Sequence, residues 1–217
     1  GRFAAAERRY ALWEANRKVL GHDLPYVWQQ TGSCVGAGGD NCGRTGMNVE
    51  IALKGEAEEF RPMWWLYAYG RSRFRAGMKT PGEGSFGSAW AAAIKEDGIL
   101  SVDEAPGLPA FEEVQGWIQL DSRTEIAWSD GDARNVLDLM PVARIHPVQT
   151  FAKITSADEG KAAITNGYPL TQASMFGTSG AKRQGDPPVM IAEWDGQWAH
   201  QMFFDSCWDH PGLGLLF

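Results

Sequence analysis

Apolar and polar positions interleave at helical spacing over residues 4–20, where Ala6, Tyr10, Trp13 and Leu20 fall along one stripe before Gly21 interrupts it. The pattern predicts an amphipathic N-terminal helix. An extended stretch follows over 22–31. From Cys34 to about Leu53, small or apolar residues then recur at Cys34, Gly38, Cys42, Thr45, Val49 and Ala52. Steps of three and four put them on one face, so a helix is predicted even though Gly36, Gly38, Gly39, Gly43 and Gly46 each weaken it by about 1 kcal/mol relative to alanine. A helix lined with glycine is one that other backbone packs against closely.

Pro62 opens a second helix over 63–75, with Leu66, Tyr67 and Tyr69 inside it and a basic last turn that suits the helix dipole. A third has Ser85 as its N-cap, Phe86, Ala89, Trp90, Ala93 and Ile94 on one face, and Gly98 as its stop. Between 100 and 147 the signals mix: Pro106 and Pro109 mark a loop, 114–120 reads as a strand, and a short helix follows Asp130. The second half changes character. Residues 148–154 look strand-like, Ser156 and Glu159 form a capping-box pattern for a helix closing at Gly167, and strands are predicted over 168–176 and 199–208. The stretch 178–188 is rich in turn residues, and His210-Pro211-Gly212 turns the chain into its last residues. Helices first and strands later describe an α+β protein rather than an alternating one, with no internal repeat.

Composition narrows what such a protein does. Twenty basic against 27 acidic residues leave a net charge of −7, a poor match for a phosphate backbone, so no nucleic-acid partner is expected. Apolar runs such as 89–94 fall far short of the roughly 20 residues a membrane helix needs, so no membrane span is expected. Three cysteines, Cys34, Cys42 and Cys207, contain no CxxC pair and signal neither a disulfide framework nor a thiolate metal site. No cofactor or metal is expected; His200, Asp209 and His210 lack proper ligand spacing. The opening Gly1-Arg2-Phe3 has no methionine and no leader, the pattern of a processed or excised chain, which leaves its compartment undetermined.

The segment Gln29-Gln30-Thr31-Gly32-Ser33-Cys34-Val35-Gly36 places one cysteine at the first turn of a predicted helix. Free backbone N–H groups and the positive helix end favour a thiolate there, and the thiolate is the nucleophile. The other reading of the same segment is a buried cysteine serving as a small hydrophobe.

Gly32-Ser33-Cys34-Val35 resembles the nucleophile motif of the papain family of cysteine peptidases, particularly its bacterial and phage-encoded branch. The resemblance extends in order along the chain. Met63-Trp64-Trp65-Leu66-Tyr67 is similar to the helix after the catalytic one, and Gly84-Ser85-Phe86-Gly87-Ser88-Ala89 through Asp97-Gly98-Ile99 to the next. Residues 156–169 resemble the family's short helix and its entry to a strand, and Ala199-His200-Gln201-Met202 its histidine strand. Residues 109–143 match nothing in it.

The resemblance implies a single two-lobe domain over 1–217, with a mainly helical lobe over 1–108 and a connecting segment over 109–147. The mainly β lobe, over 148–217, would lack its final strands, and a central helix would pack on that antiparallel sheet. It further implies Cys34 as nucleophile and His200, 166 residues downstream, as its base. The family's oxyanion glutamine lies six residues before the cysteine. Here Trp28 holds that position, so Gln30 with the Cys34 N–H is assigned the role, with Gln29 close by. An Asn-Ser-Trp-Gly segment to orient the histidine is missing, either lost or beyond Phe217; Asp205, five residues along a strand from His200, would point to the opposite face, and Asp195 and Asp209 are remoter substitutes. The expected function is hydrolysis of peptide bonds in a peptide or protein substrate, with a related amidase or peptidoglycan hydrolase using the same pair. The alternative is a catalytically degenerate module with a structural or binding role in a larger assembly, such as a bacterial surface or phage particle.

Overall fold

A computed structural model of the chain describes residues 9–217 except 58, 106, 110, 111 and 115. The elements run in chain order from strand β1 (Arg9–Ala11) through helix α1 (Trp13–Leu20) and strand β2 (Tyr26–Trp28) to the long helix α2 (Cys34–Val49). Helices α3 (Trp65–Arg75) and α4 (Gly87–Glu96) follow. The middle of the chain holds strands β3 (Glu112–Val114) and β4 (Trp117–Gln119) and three short helices, α5 (Ser122–Trp128), α6 (Arg134–Leu137) and α7 (Met140–Ala143). Helix α8 (Ala157–Thr165) precedes strands β5 (Leu170–Gln184), β6 (Val189–Phe204), β7 (Ser206–His210) and β8 (Gly214–Leu216). The result mixes helix and sheet, as the α+β reading has it.

Helix α2 is central, and its glycines explain how. A Cβ on Gly39 would lie 2.2 Å from the Trp90 indole, one on Gly36 would lie 2.8 Å from Tyr69 Cβ, and one on Gly43 would lie 2.9 Å from Met63 Sδ. The close approach is therefore mainly by large side chains rather than by other backbone, and the helix gives up propensity for contact. Its opposite flank is tied by polar groups. Asn48 Nδ2 donates to Asn16 Oδ1, Asn16 Nδ2 to Thr45 Oγ1, and Asn41 Oδ1 accepts from the Val27 amide, linking α2 to α1 and β2.

Trp64, Trp65, Leu66, Tyr67 and Tyr69 at and within α3 are almost completely buried and centre the largest core cluster, which draws in Ile118 and Leu120 around β4 and Trp128 of α5. The interval 109–147 is thus built into the body of the fold: β4 runs parallel to β2, Tyr26 opposite Trp117 and Trp28 opposite Gln119, while β3 pairs with its other edge.

Several predicted elements shift, each where a tertiary partner outweighs local pattern. The N-terminal helix begins at Trp13, because Arg9–Ala11 pairs antiparallel with Ser206–Trp208; residues 1–8 of that prediction lie outside the described residues. Ser85 does not cap α4. Its hydroxyl accepts from Ser72, and Phe86 takes the N-cap position. Residues 148–154 form no strand; the Val148 amide donates to the Ile94 carbonyl and the segment runs on exposed. The turn-rich stretch 178–188 continues β5 to Gln184, with the reversal at Gly185 (φ +80°). By contrast Ser156 caps α8 as expected, accepting from the Glu159 amide.

Candidate functional site

Cys34 is the first residue of α2, half-buried against the cluster of Val35, Ala68, Trp90 and Ile94. The chain reaches it through a tight loop in which the Ser33 amide donates to the Thr31 carbonyl and the Ser33 carbonyl then accepts from Gly36 and Ala37. Two carboxylates hold this loop. Glu125 of α5, fully buried, accepts from the Gln30 and Thr31 amides and from the Thr31 and Ser33 hydroxyls, all at 2.6 to 3.0 Å. On the other side the Gly32 amide donates to Glu83 Oε2, and its carbonyl accepts from the Gly84 amide. A Cβ on Gly32 would sit 2.8 Å from that Glu83 oxygen, so a larger residue there would displace the Glu83 side chain.

His200 arrives from the far end of the chain on β6, opposite Ser174 of β5 and just before a register shift in the hairpin. Its imidazole is half-buried and lies against the Trp198 ring, centroids 5.1 Å apart. Burial lowers its pKa, which favours the neutral ring. The next residue fixes where the strand lies: Gln201 is buried, and its Nε2 donates at 3.3 Å to the carbonyl of Val35. Across 166 residues, the neighbour of His200 therefore touches the neighbour of Cys34.

An open cavity of about 530 Å³ lies between α2, β2 and β6. His200 and Gln29 both line it, with Ala37, Gly38 and Asn41 below and Tyr26, Trp117 and Phe203 as an aromatic wall. Gln29 lies one residue past the end of β2 and lines the cavity together with Tyr26 and Val27. Gln30 takes the other side. Its amide Nε2 donates to Gln119 Oε1 at 3.2 Å, so the side chain assigned to the oxyanion from sequence is spent on the neighbouring strand. Trp28 turns outward, 52% exposed and edge-on to Trp117.

Of the carboxylates weighed as substitutes for an orienting asparagine, Asp205 and Asp209 have other partners. Asp205 falls in the break between β6 and β7. It lines the same cavity as His200, and its Oδ2 accepts from the Tyr26 hydroxyl. Asp209 pairs with Lys161. His210 is buried, with Nε2 against the Pro187 carbonyl and Nδ1 accepting from the Gly212 and Leu213 amides, so its ring serves the hairpin turn. Among the described residues no group of three or more His, Cys, Asp or Glu side chains is placed to hold a metal ion, and no helix is long and apolar enough to cross a membrane.

The two other cysteines differ from Cys34 in their surroundings. Burial pushes the Cys42 thiol up to about 12, and its Sγ lies 3.4 Å from the Pro169 carbonyl. Burial, then the nearby Asp209, raises the Cys207 thiol as well.

No family model and no curated protein matches the chain. One solved structure does, with a TM-score of 0.55 and 16% identity over 93% of this chain and 70% of its own: xylellain, a cysteine protease from Xylella fastidiosa. The chain has the fold of that protease. At such an identity the likeness to xylellain establishes the fold alone, and the chemistry has to be argued from this chain's own residues.

Sequence reasoning did not find Glu125 and did not place Gln29 at the cavity. The second had no local signal, because Gln29 lies past the end of β2 at Trp28. The first had none beyond the Asp121 cap that starts α5, accepting from the Arg123 and Thr124 amides, because nothing local marks a glutamate whose partners lie 92 to 95 residues away.

Proposed function

We propose that this protein is a papain-like thiol hydrolase that cleaves peptide bonds with Cys34 as nucleophile and His200 as base. The observation that carries the reading is the Gln201 to Val35 hydrogen bond, which lays the strand of His200 across the first turn of the helix that begins with Cys34. A neutral His200 takes the thiol proton, and the Cys34 sulfur bonds to the substrate carbonyl carbon. The carbonyl oxygen gathers the negative charge and is met by the backbone N–H of Cys34 and the side-chain amide of Gln29, which replaces Gln30 in that role. Collapse of the intermediate breaks the C–N bond, and the imidazolium gives its proton to the departing amine. Water, deprotonated by His200, then releases the acid and restores the thiol.

The fold likeness to xylellain supports this assignment; His200 and Gln29 line one cavity, and Cys34 lies outside its lining at the start of α2. The raised thiol pKa values of Cys42 and Cys207 support it too, because reactivity follows thiolate fraction. Iodoacetamide near pH 7 is expected to modify Cys34 well ahead of Cys42 and Cys207, and Cys34→Ala to abolish hydrolysis of a mixed peptide library while the fold persists. Hydrolysis that survives Cys34→Ala would move the nucleophile elsewhere. A reactive Cys34 with no hydrolysis of any peptide would favour the binding-module reading.

A further inference from the structure

We propose that Glu125 is the positioning residue of the nucleophile: its carboxylate holds residues 30–33 in the conformation that presents the Cys34 sulfur and amide to the substrate. The proposal rests on the peptidase reading for its purpose and on separate geometry for its substance. Glu125 is fully buried, and a carboxylate in such a place needs hydrogen bonds to be tolerated at all. It has four, and every one comes from the loop before Cys34. Oε1 accepts from the Gln30 amide at 2.7 Å; Oε2 accepts from the Thr31 amide at 3.0 Å, the Thr31 hydroxyl at 2.6 Å and the Ser33 hydroxyl at 2.8 Å. Strand β2 has ended at Trp28, so the amides of Gln30 and Thr31 have left its ladder and are satisfied here instead.

The donors sit on three residues of a four-residue loop, and the gap is filled by the second anchor. Gly32 faces the other way, to Glu83 and Gly84. That second anchor leads back to the same helix end. The Gly82 amide donates to Ser129 Oγ, just past α5, and Arg73 joins the Ser129 carbonyl through Nε to the Glu83 and Gly84 carbonyls through Nη1. Helix α5 thus fixes the loop from both sides: directly through Glu125, and indirectly through Ser129 and residues 82–84. It belongs to the interval that matches nothing in the papain family's sequence pattern, so this chain supports its nucleophile from a segment of its own.

A displacement of about 1 Å at a nucleophile can cost on the order of 100-fold in rate. Glu125→Gln keeps the shape but leaves one acceptor: with its oxygen turned to Thr31 and Ser33, its NH2 meets the Gln30 amide, donor against donor. The expected result is a kcat lowered about 10- to 100-fold with KM changed less than about threefold. The second-order rate constant for iodoacetamide at Cys34 is expected to fall about tenfold or more in protein that remains folded by circular dichroism. Ser33→Ala and Thr31→Val should move the same rate constant a few-fold in the same direction, and add little on top of Glu125→Gln. A merely structural role would lower the melting temperature and the yield of folded protein while leaving the rate constant per folded molecule unchanged, and that result overturns the proposal. If Glu125→Gln does not fold, the two loop variants decide, and unchanged alkylation in both overturns it. Because alkylation needs no peptide, wild-type protein that is alkylated at Cys34 but cleaves nothing would sink the peptidase reading and leave the comparison of rate constants intact.

Discussion

The two ends of the candidate site are built in opposite ways. The cysteine end is embedded: Ser33 is fully buried, the loop is held by the buried Glu125 on one side and by Glu83 on the other, and α2 is packed so closely that a Cβ on Gly36, Gly39 or Gly43 would clash. The histidine end rides on a two-stranded hairpin whose strands run 15 and 16 residues, with register shifts between Ser174 and Gly180 and exposed Met175, Phe176 and Trp198 around it. Gln201 ties that strand to the helix through its hydrogen bond to the Val35 carbonyl. A nucleophile has one productive position and must be preorganised, whereas a base on a ribbon tolerates small adjustments. The asymmetry predicts that damage on the cysteine side costs both activity and stability, and damage on the histidine side costs activity alone.

The largest test of that split is His200→Ala. Loss of the base should lower kcat/KM by about a thousandfold or more, while the melting temperature moves little, since substitutions at partly exposed sites usually stay within about 0.5 kcal/mol. Thermal melts and steady-state kinetics on one preparation measure both. A large drop in melting temperature would mean that the hairpin is as embedded as the helix.

The counterpart on the embedded side is Asp97, at the C-cap of α4. Its fully buried carboxylate accepts from Arg71 and Arg75 at 2.7 to 3.0 Å, with Arg144 at 3.4 Å. Burial alone would raise its pKa, but the Arg75 and Arg71 hydrogen bonds outweigh this and hold it below the usual 3.8. Removing one partner of such a cluster costs about 3 to 5 kcal/mol, so Asp97→Asn should unfold at much lower urea. A group with a lowered folded pKa adds stability that is fully present above its unfolded value and is lost as pH falls through the folded one. Wild-type stability should therefore decline as pH drops below about 4, with a shallower decline in Asp97→Asn.

How much of this was legible in sequence follows the range of the contacts. The start of α2 was readable from spacing alone, and its glycines announced close packing, although not that the visitors would be Trp65, Tyr69 and Trp90. In the interval 109–147 the strand over 114–120 and the helix after Asp130 were readable as β4 and α6, but the pairing of β4 with β2 and the reach of Glu125 to a loop more than 90 residues away leave no local mark. The hairpin was underestimated for a related reason. Residues 178–188 read as turn, yet Thr178 and residues 180–184 lie opposite partners on β6 that hold the strand extended to Gln184.

Gln29 tests whether the cavity geometry was read correctly. Gln29→Ala should lower kcat about 100-fold with a modest change in KM, the cost of one oxyanion donor. Gln30→Ala, which removes only the contact to Gln119, should cost less than about tenfold. The reverse order of effects would return the oxyanion role to Gln30 and mean that the loop rearranges when substrate binds.

The smallest expected effect probes the histidine end most finely. Trp198 covers the His200 ring on the exposed hairpin, and burial is what lowers the pKa of that ring. Trp198→Ala admits water, so the His200 pKa should rise toward the ordinary value of 6.5. A base works in its neutral form, so activity falls as pH drops through its pKa, and raising that pKa moves the acid limb of kcat/KM to higher pH. The variant should therefore lose about threefold in kcat/KM near pH 6, where the larger protonated fraction matters, and almost nothing at pH 8, where the ring is neutral in both proteins. A pH-independent loss would instead mean that the indole positions the ring or touches substrate. An acid limb displaced to lower pH would mean that Trp198 stabilises the imidazolium through its π face, and that the neutral base assigned to His200 is wrong.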